Sequence, residues 1–255
     1  MRVSKLSLAL LGAGLVLAAL PVAAAEDLTV VFKDGKGAVQ TQYFTSNKMR
    51  HNMGDRDSIM DFATGTITSI DNKKREYSQV TLEQMEAAMK QASAQMEQSM
   101  AKVPPEMREK MEQMMGGATG AITVTKGGTK KVAGYDTQQY TITMGENMKS
   151  ERWNTTALQL PFDPAQFVKM SGFSGPMAGG PMMKSAAKLA EKMKEIQGFT
   201  LAETTSFKVM GHGTDTSKEA VEVKKGPIPA EAFAIPAGYK KVDSPMLKMG
   251  QGRPQ

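Results

Sequence analysis

The chain has 255 residues, with 32 Lys+Arg against 26 Asp+Glu, 22 methionines and no cysteine. The absence of cysteine excludes disulfides, thiol catalysis and thiolate metal sites. The small basic excess is spread along the chain without a cluster, so it reads as solubility and gives no nucleic-acid footprint. Aromatic residues make up only 6%, which leaves methionine to fill part of any core.

Arg2 and Lys5 precede an apolar run from Leu6 to Leu20, and Ala23-Ala24-Ala25 offers a small-residue cleavage site before Glu26. Residues 1–25 therefore read as a secretory signal peptide, and the mature chain is expected to be soluble and either periplasmic or fully secreted. No membrane span is expected in it. From Leu28 the pattern becomes short β runs separated by turn residues. Leu28–Lys33 ends at Asp34-Gly35-Lys36-Gly37, a hairpin signal. Ala38–Thr45, Lys48–Asn52, Asp57–Phe62, Thr66–Ile70 and Lys74–Ser78 follow at spacings that suit an antiparallel meander.

The longest helical pattern runs from Thr81 to Gly116-Gly117. Thr81 and Gln84 form a capping-box signature, and Pro104-Pro105 must break or kink the helix. Met85, Met89, Ala92, Met96, Met100, Val103, Met107, Met111 and Met114 recur every three or four residues, a continuous apolar stripe. Ala121–Thr125, Lys130–Val132, Gln138–Met144 and Met148–Thr155 repeat the meander style, with the single tryptophan, Trp153, in the last. Asp163 and Pro164 start a short helix that ends near Gly172. The Gly/Pro/Met-rich segment 174–181 reads as a mobile loop. A third helix is expected from Met182 to Gln197 with Met193 on its apolar face. Phe199–Met210 and Thr216–Lys224 form a last hairpin, Phe233–Tyr239 closes the fold, and residues 245–255 read as a flexible tail.

These elements predict one α+β domain over residues 26–244: a curved antiparallel sheet covered by methionine-rich helices. Several segments carry a family resemblance. They are Ser58-Ile-Met-Asp-Phe through Ile70-Asp-Asn-Lys-Lys-Arg-Glu-Tyr77, Thr129-Lys-Lys-Val-Ala-Gly-Tyr135 through Tyr140, and Phe233-Ala-Ile-Pro-Ala-Gly-Tyr-Lys-Lys241. They resemble a family of secreted bacterial proteins catalogued as a domain of unknown function, itself similar to the LolA-like lipoprotein-localisation carriers. The resemblance implies an unclosed half-barrel with helices over an apolar cavity, which in the carriers takes acyl chains. It brings no catalytic residues with it.

No acid–base or nucleophile constellation is visible, so the chain is read as non-catalytic and without a cofactor. His51 and His212 read as surface residues. Asp55, Asp57 and Asp61 lack the calcium-loop pattern, and Lys73-Lys74-Arg75 reads as a solvated hairpin tip. The methionine stripe has three readings. It is core filled by an adaptable side chain, a groove for an apolar ligand, or a soft-metal site for Cu(I) or Ag(I) built from Met85/Met89, Met96/Met100 and Met107/Met111. The groove reading assigns Met85, Met89, Met96, Met100, Met107, Met111, Met193 and Trp153 to an apolar small molecule or lipid. Its partners would be a membrane surface or lipoprotein engaged transiently.

Overall fold

The computed structural model describes residues 25–104, 106–107, 121–145, 148–170, 191–209 and 212–248. Its framework is a large, unclosed sheet of twelve strands, antiparallel but for one edge. Six strands form a first meander: β1 Leu28–Asp34, β2 Val39–Phe44, β3 Lys48–Asn52, β4 Arg56–Asp61, β5 Thr66–Asp71 and β6 Glu76–Thr81. Five more form a second: β7 Ile122–Val132, β8 Tyr135–Met144, β9 Met148–Thr155, β10 Phe199–Val209 and β11 His212–Lys225. The two join where β1 pairs antiparallel with β11. The two-residue strand β12, Lys240–Lys241, adds in parallel to β6 at one edge, while β7 forms the other.

Local chemistry sets the turns. The Asp34 carboxylate accepts the backbone N–H groups of Lys36 (2.9 Å) and Ala38 (2.8 Å), and Gly37 supplies the positive φ that closes the first hairpin. Ala133 and Gly134 both have positive φ (48° and 84°), so Val-Ala-Gly-Tyr forms the tight β7–β8 turn. The stretch expected as two strands is the single β7, whose pairing register shifts around Gly127-Gly128.

Three helices are described besides a 3₁₀ turn at Ala230–Phe233: α1 Leu82–Ala101, α2 Pro164–Met170 and α3 Pro245–Lys248. The Thr81 capping box forms as expected, with Thr81 N–H donating to Gln84 Oε1 (3.0 Å) and Gln84 N–H to Thr81 Oγ1 (3.1 Å). Asp163 caps α2 through Ala165 N–H (2.9 Å). Helix α3 lies in the expected flexible tail, yet its Leu247 packs against the cluster around Met85. The expected loop 174–181 and most of the third helix fall outside the described residues.

A buried ion pair ties the C-terminal segment to the first meander. Asp57, 1% exposed, pairs with Arg50, 11% exposed, and also accepts from Asn72 Nδ2 (3.2 Å). Arg50 Nη1 donates to the carbonyls of Ala232 (2.7 Å) and Ala234 (3.3 Å), and Tyr239 Oη donates to Asn72 Oδ1 (3.1 Å). Asp57, which lacks a calcium-loop pattern around it, is thus the anchor of a strap over one sheet face. Losing one partner of such a pair strands the other charge in a low dielectric. Asp57→Ala should therefore lower unfolding free energy by about 3–5 kcal/mol in urea titration. The paired replacement Arg50→Met/Asp57→Leu should recover most of it.

Gly198, just before β10, has φ +83°, and a Cβ there would sit 2.3 Å from the Thr155 carbonyl oxygen. Asn154 Nδ2 also donates to its carbonyl at 3.1 Å. Gly198→Ala should cost more than the ~1–2 kcal/mol of left-handed backbone alone, visible as a lower thermal midpoint.

Candidate ligand-binding face

The strand registers place side chains on the two sheet faces in ordered rows. On the face that carries α1 and α2, Val80, Ile67, Met60, Met49, Phe44 and Leu28 are direct cross-strand neighbours in turn. They form one apolar row across six strands, about 24 Å long at the usual ~4.8 Å strand spacing. Two residues further along each strand, on the same face, lie Ser78, Ser69, Ser58, His51 and Gln42. An apolar row and a hydroxyl–imidazole–amide row therefore run side by side, about 7 Å apart.

Two clusters cover the apolar row. One gathers Leu28, Val30, Phe32, Phe44, Leu158, Phe162 and Leu201, with Met49, Phe62, Phe167 and Phe199 against it. Its rings interlock, Phe44 meeting Phe199 edge-on at 5.4 Å and Phe162 lying 4.5 Å from Phe62. The other gathers Ile67, Val80, Met85 and Met170, with Met60, Phe62, Leu82, Met89 and Leu247 against it. Helix α2 straddles them, giving Phe167 to the first and Met170 to the second. At the seam Met49, Met60, Phe62, Met89 and Phe167 are all only half-buried.

The predicted site residues divide accordingly. Met85 and Met89 come together on the apolar row. Beyond Ser93, the described residues Ala94, Gln95, Glu97, Gln98 and Ser99 of α1 are exposed, and Met107 is 57% exposed. The side chains of Met96 and Met100, and all of Met111, lie outside the described residues. Met193 is half-buried, with Sδ 3.9 Å from Arg152 Nη1. Trp153 sits on the opposite face from the apolar row, because its neighbour Arg152 shares the helix face with Glu203 and Lys218. It lies beneath Lys130, whose Nζ is 4.7 Å from the ring and 3.0 Å from Glu219 Oε2. Lys130 and Glu219 are on β7 and β11, four strand spacings or about 19 Å apart in a flat sheet, so the sheet coils around Trp153. Trp153 packs against the first cluster and Met89 against the second.

Sequence reasoning missed the seam residues Met49, Met60, Phe62 and Phe167, whose signal was only strand alternation and the Asp163 cap. It also placed His51 at the surface. His51 is half-buried, with Nε2 3.2 Å from Gln42 Nε2 and 3.3 Å from Gln40 Oε1. Burial lowers its pKa below the usual value, Lys218 lowers it further, and Asp57 opposes both. On the same sheet face, Glu203 takes Arg152 Nε (2.9 Å), Ser150 Oγ (3.3 Å) and Lys218 Nζ (3.7 Å). Two pronounced concavities occur elsewhere. One of about 510 Å³ lies between Met53, Arg56 and Lys74, and one of about 580 Å³ between Tyr43, Lys224 and Pro229. Among the described residues no group of three or more His, Asp or Glu converges as a metal site, and no helix is long and apolar enough to cross a membrane.

Three solved structures are similar over most of the chain at low identity. An uncharacterized conserved protein from Thermus thermophilus aligns with 86% of this chain and 91% of its own, at 6% identity and TM-score 0.42. The MucA/MucB complex of Pseudomonas aeruginosa aligns with 84% of this chain at 10% identity, and MucB alone with 85% at 12%, both at TM-score 0.32. The matches cover 56% and 59% of those chains. No curated protein matches the sequence. A family model does match, across residues 26–239, nearly the whole span from the first strand to the C-terminal strap, and the chain belongs to that family, the domain of unknown function DUF4412.

Proposed function

We propose that the protein is an exported, non-catalytic binding protein that takes an apolar ligand, such as a lipid or acyl chain, between the sheet and its helices. The mature domain would run from residue 26 to the strap and α3, after removal of a signal peptide near Ala25. The observation that carries this reading is the seam. Five large apolar side chains are left half-buried where the two clusters meet. Three of them are methionines, which repack around varied shapes at little rotamer cost. Helix α2 is only seven residues long, too short to be stable on its own, so it is held by Phe167 and Met170 and is the element to swing aside. Met85 belongs to the floor of this seam and Met89 to its rim. Met96, Met100, Met107 and Met111 belong to the same proposed apolar stripe by their sequence period. A membrane surface or lipoprotein would then be the transient source or recipient of the ligand.

A second reading keeps the sulfur in view. Met60, Met85, Met89 and Met170 belong to one cluster, and thioethers are soft ligands suited to Cu(I) or Ag(I).

Native mass spectrometry of the protein, purified from the exported fraction without detergent, tests both. Co-purified mass of a lipid or another acyl-chain amphiphile is expected, on a chain beginning at Glu26. Met60→Asp and Met89→Asp should abolish uptake of a long-chain fluorescent fatty acid while the far-UV circular dichroism is kept. Retained uptake in both variants would overturn the seam as the binding site. Replacing Met60, Met85, Met89 and Met170 with leucine preserves the apolar surface and removes the sulfur. Lipid uptake should then survive within about threefold, since such swaps cost under ~1.5 kcal/mol. Silver adducts on the parent that vanish in this variant would instead move the metal reading forward.

A further inference from the structure

The seam accounts for a chain but not for a head. We propose that the ligand is an amphiphile with an uncharged, hydrogen-bonding head group, its chain lying along the Met49–Met60 stretch of the apolar row and its head against Ser58, His51 and Gln42. This rests on the reading of the seam as a binding site and adds the ligand's polar end.

The register fixes the juxtaposition. Met49 pairs with Met60 and, two residues along the same strands, His51 pairs with Ser58 and Gln42. The polar row is thus the immediate neighbour of the half-buried methionines, on the same face and about 7 Å away. A purely apolar ligand would leave this row without use, whereas an alcohol, ester or amide head would meet groups that both donate and accept. Ser58 offers a hydroxyl and Gln42 an amide. Burial holds the pKa of half-buried His51 below its usual value, which favours the neutral imidazole with one donor and one acceptor nitrogen. Its Nε2 lies within reach of both an amide nitrogen and an amide oxygen, so the hydrogen bonds there rearrange by tautomer without any change of charge.

The charges on this face leave an anionic head no unopposed cation: exposed Arg56, two residues along β4 from Ser58, lies directly across from Asp71. Lys218 and Arg152 already share the Glu203 carboxylate, and Lys218 also lies 5.3 Å above the Phe32 ring. A carboxylate set against Ser58, His51 and Gln42 would lose its hydration without gaining a dedicated partner, a cost that an alcohol or amide avoids.

The test is competition at pH 7.5 for a fluorescent acyl probe by ligands of one chain length that differ only in the head: a monoacylglycerol, a primary fatty amide and a fatty acid. The monoacylglycerol and the amide should displace the probe at least about tenfold more effectively than the acid, a difference of roughly 1.4 kcal/mol. Ser58→Ala should narrow that ratio to about threefold, and His51→Phe should abolish it, each ratio being taken against that variant's own affinity for the probe. An acid that competes as well as the neutral ligands, or an unaltered preference in both variants, overturns the assignment of the head while leaving the seam intact. Failure of the probe and of every competitor to bind the unmodified protein removes the seam as well. A His51→Phe chain that does not fold leaves Ser58→Ala, a conservative change at a half-buried position, to decide.

Discussion

The architecture depends on the pairing of β1 with β11. Each meander can form from neighbouring strands through short turns, but neither alone supplies both the apolar row and its cover. The zipper from Leu28–Lys225 to Asp34–Lys218 joins residues nearly two hundred positions apart. Closing so long a loop costs chain entropy that only the completed core recovers. The recovery is visible in the cluster itself. Leu28, Val30 and Phe32 of β1 are almost wholly buried with Leu201 and Ala220 of the second meander, and Phe44 of β2 meets Phe199 of β10. The register also orders the faces, because a one-residue slip of a strand would turn its apolar side chains to the other face.

The opposite face is sealed by different means. Here the strap from the 3₁₀ turn to β12 uses hydrogen bonds and a buried charge pair, with Tyr43 and Phe233 edge to face at 6.3 Å. Lys240 N–H donates to the Arg75 carbonyl and Val242 N–H to that of Tyr77, which covers the β6 edge that would otherwise recruit another strand. The protein is thus rigid on the strapped face and adaptable on the helix face. The directional polar contacts sit where geometry must be fixed, and the thioethers sit where it must give.

Legibility in the sequence followed distance along the chain. Thr81 with Gln84, Asp163 with Pro164, and Asp34-Gly-Lys-Gly each act within four residues, and each forms as read. The strands of the first meander were legible from alternation for the same reason. What sequence could not carry was set by pairing across the whole chain: that Trp153 faces away from the methionines, that His51 is half-buried beside Gln42, and that Asp57 anchors the strap. Gly127-Gly128 read as a break and proved to be a bulge within a continuous strand, since the ladder on either side is long enough to carry it. The stripe of α1 was legible as a period but not as a site. Among its described side chains those of the first turns reach the sheet, and a periodic pattern says nothing about where its partner surface ends.

The segments that carry the family resemblance have structural tasks. Val-Ala-Gly-Tyr makes the β7–β8 turn, Asp-Asn-Lys-Lys-Arg makes the β5–β6 turn and receives Tyr239, and Ile-Pro-Ala-Gly-Tyr-Lys-Lys lays down the strap and β12. Motifs of that kind are held by backbone conformation and by a few directional bonds, so they mark a fold and are silent about a ligand. The candidate seam is composed otherwise. Met49, Met60, Met89 and Phe62 obey no spacing rule and need only be large, apolar and able to repack, requirements that many sequences meet. Residues that serve the backbone at the turns and strap therefore place no constraint on the composition of the seam, where this chain sets a serine–histidine–glutamine row beside its methionines.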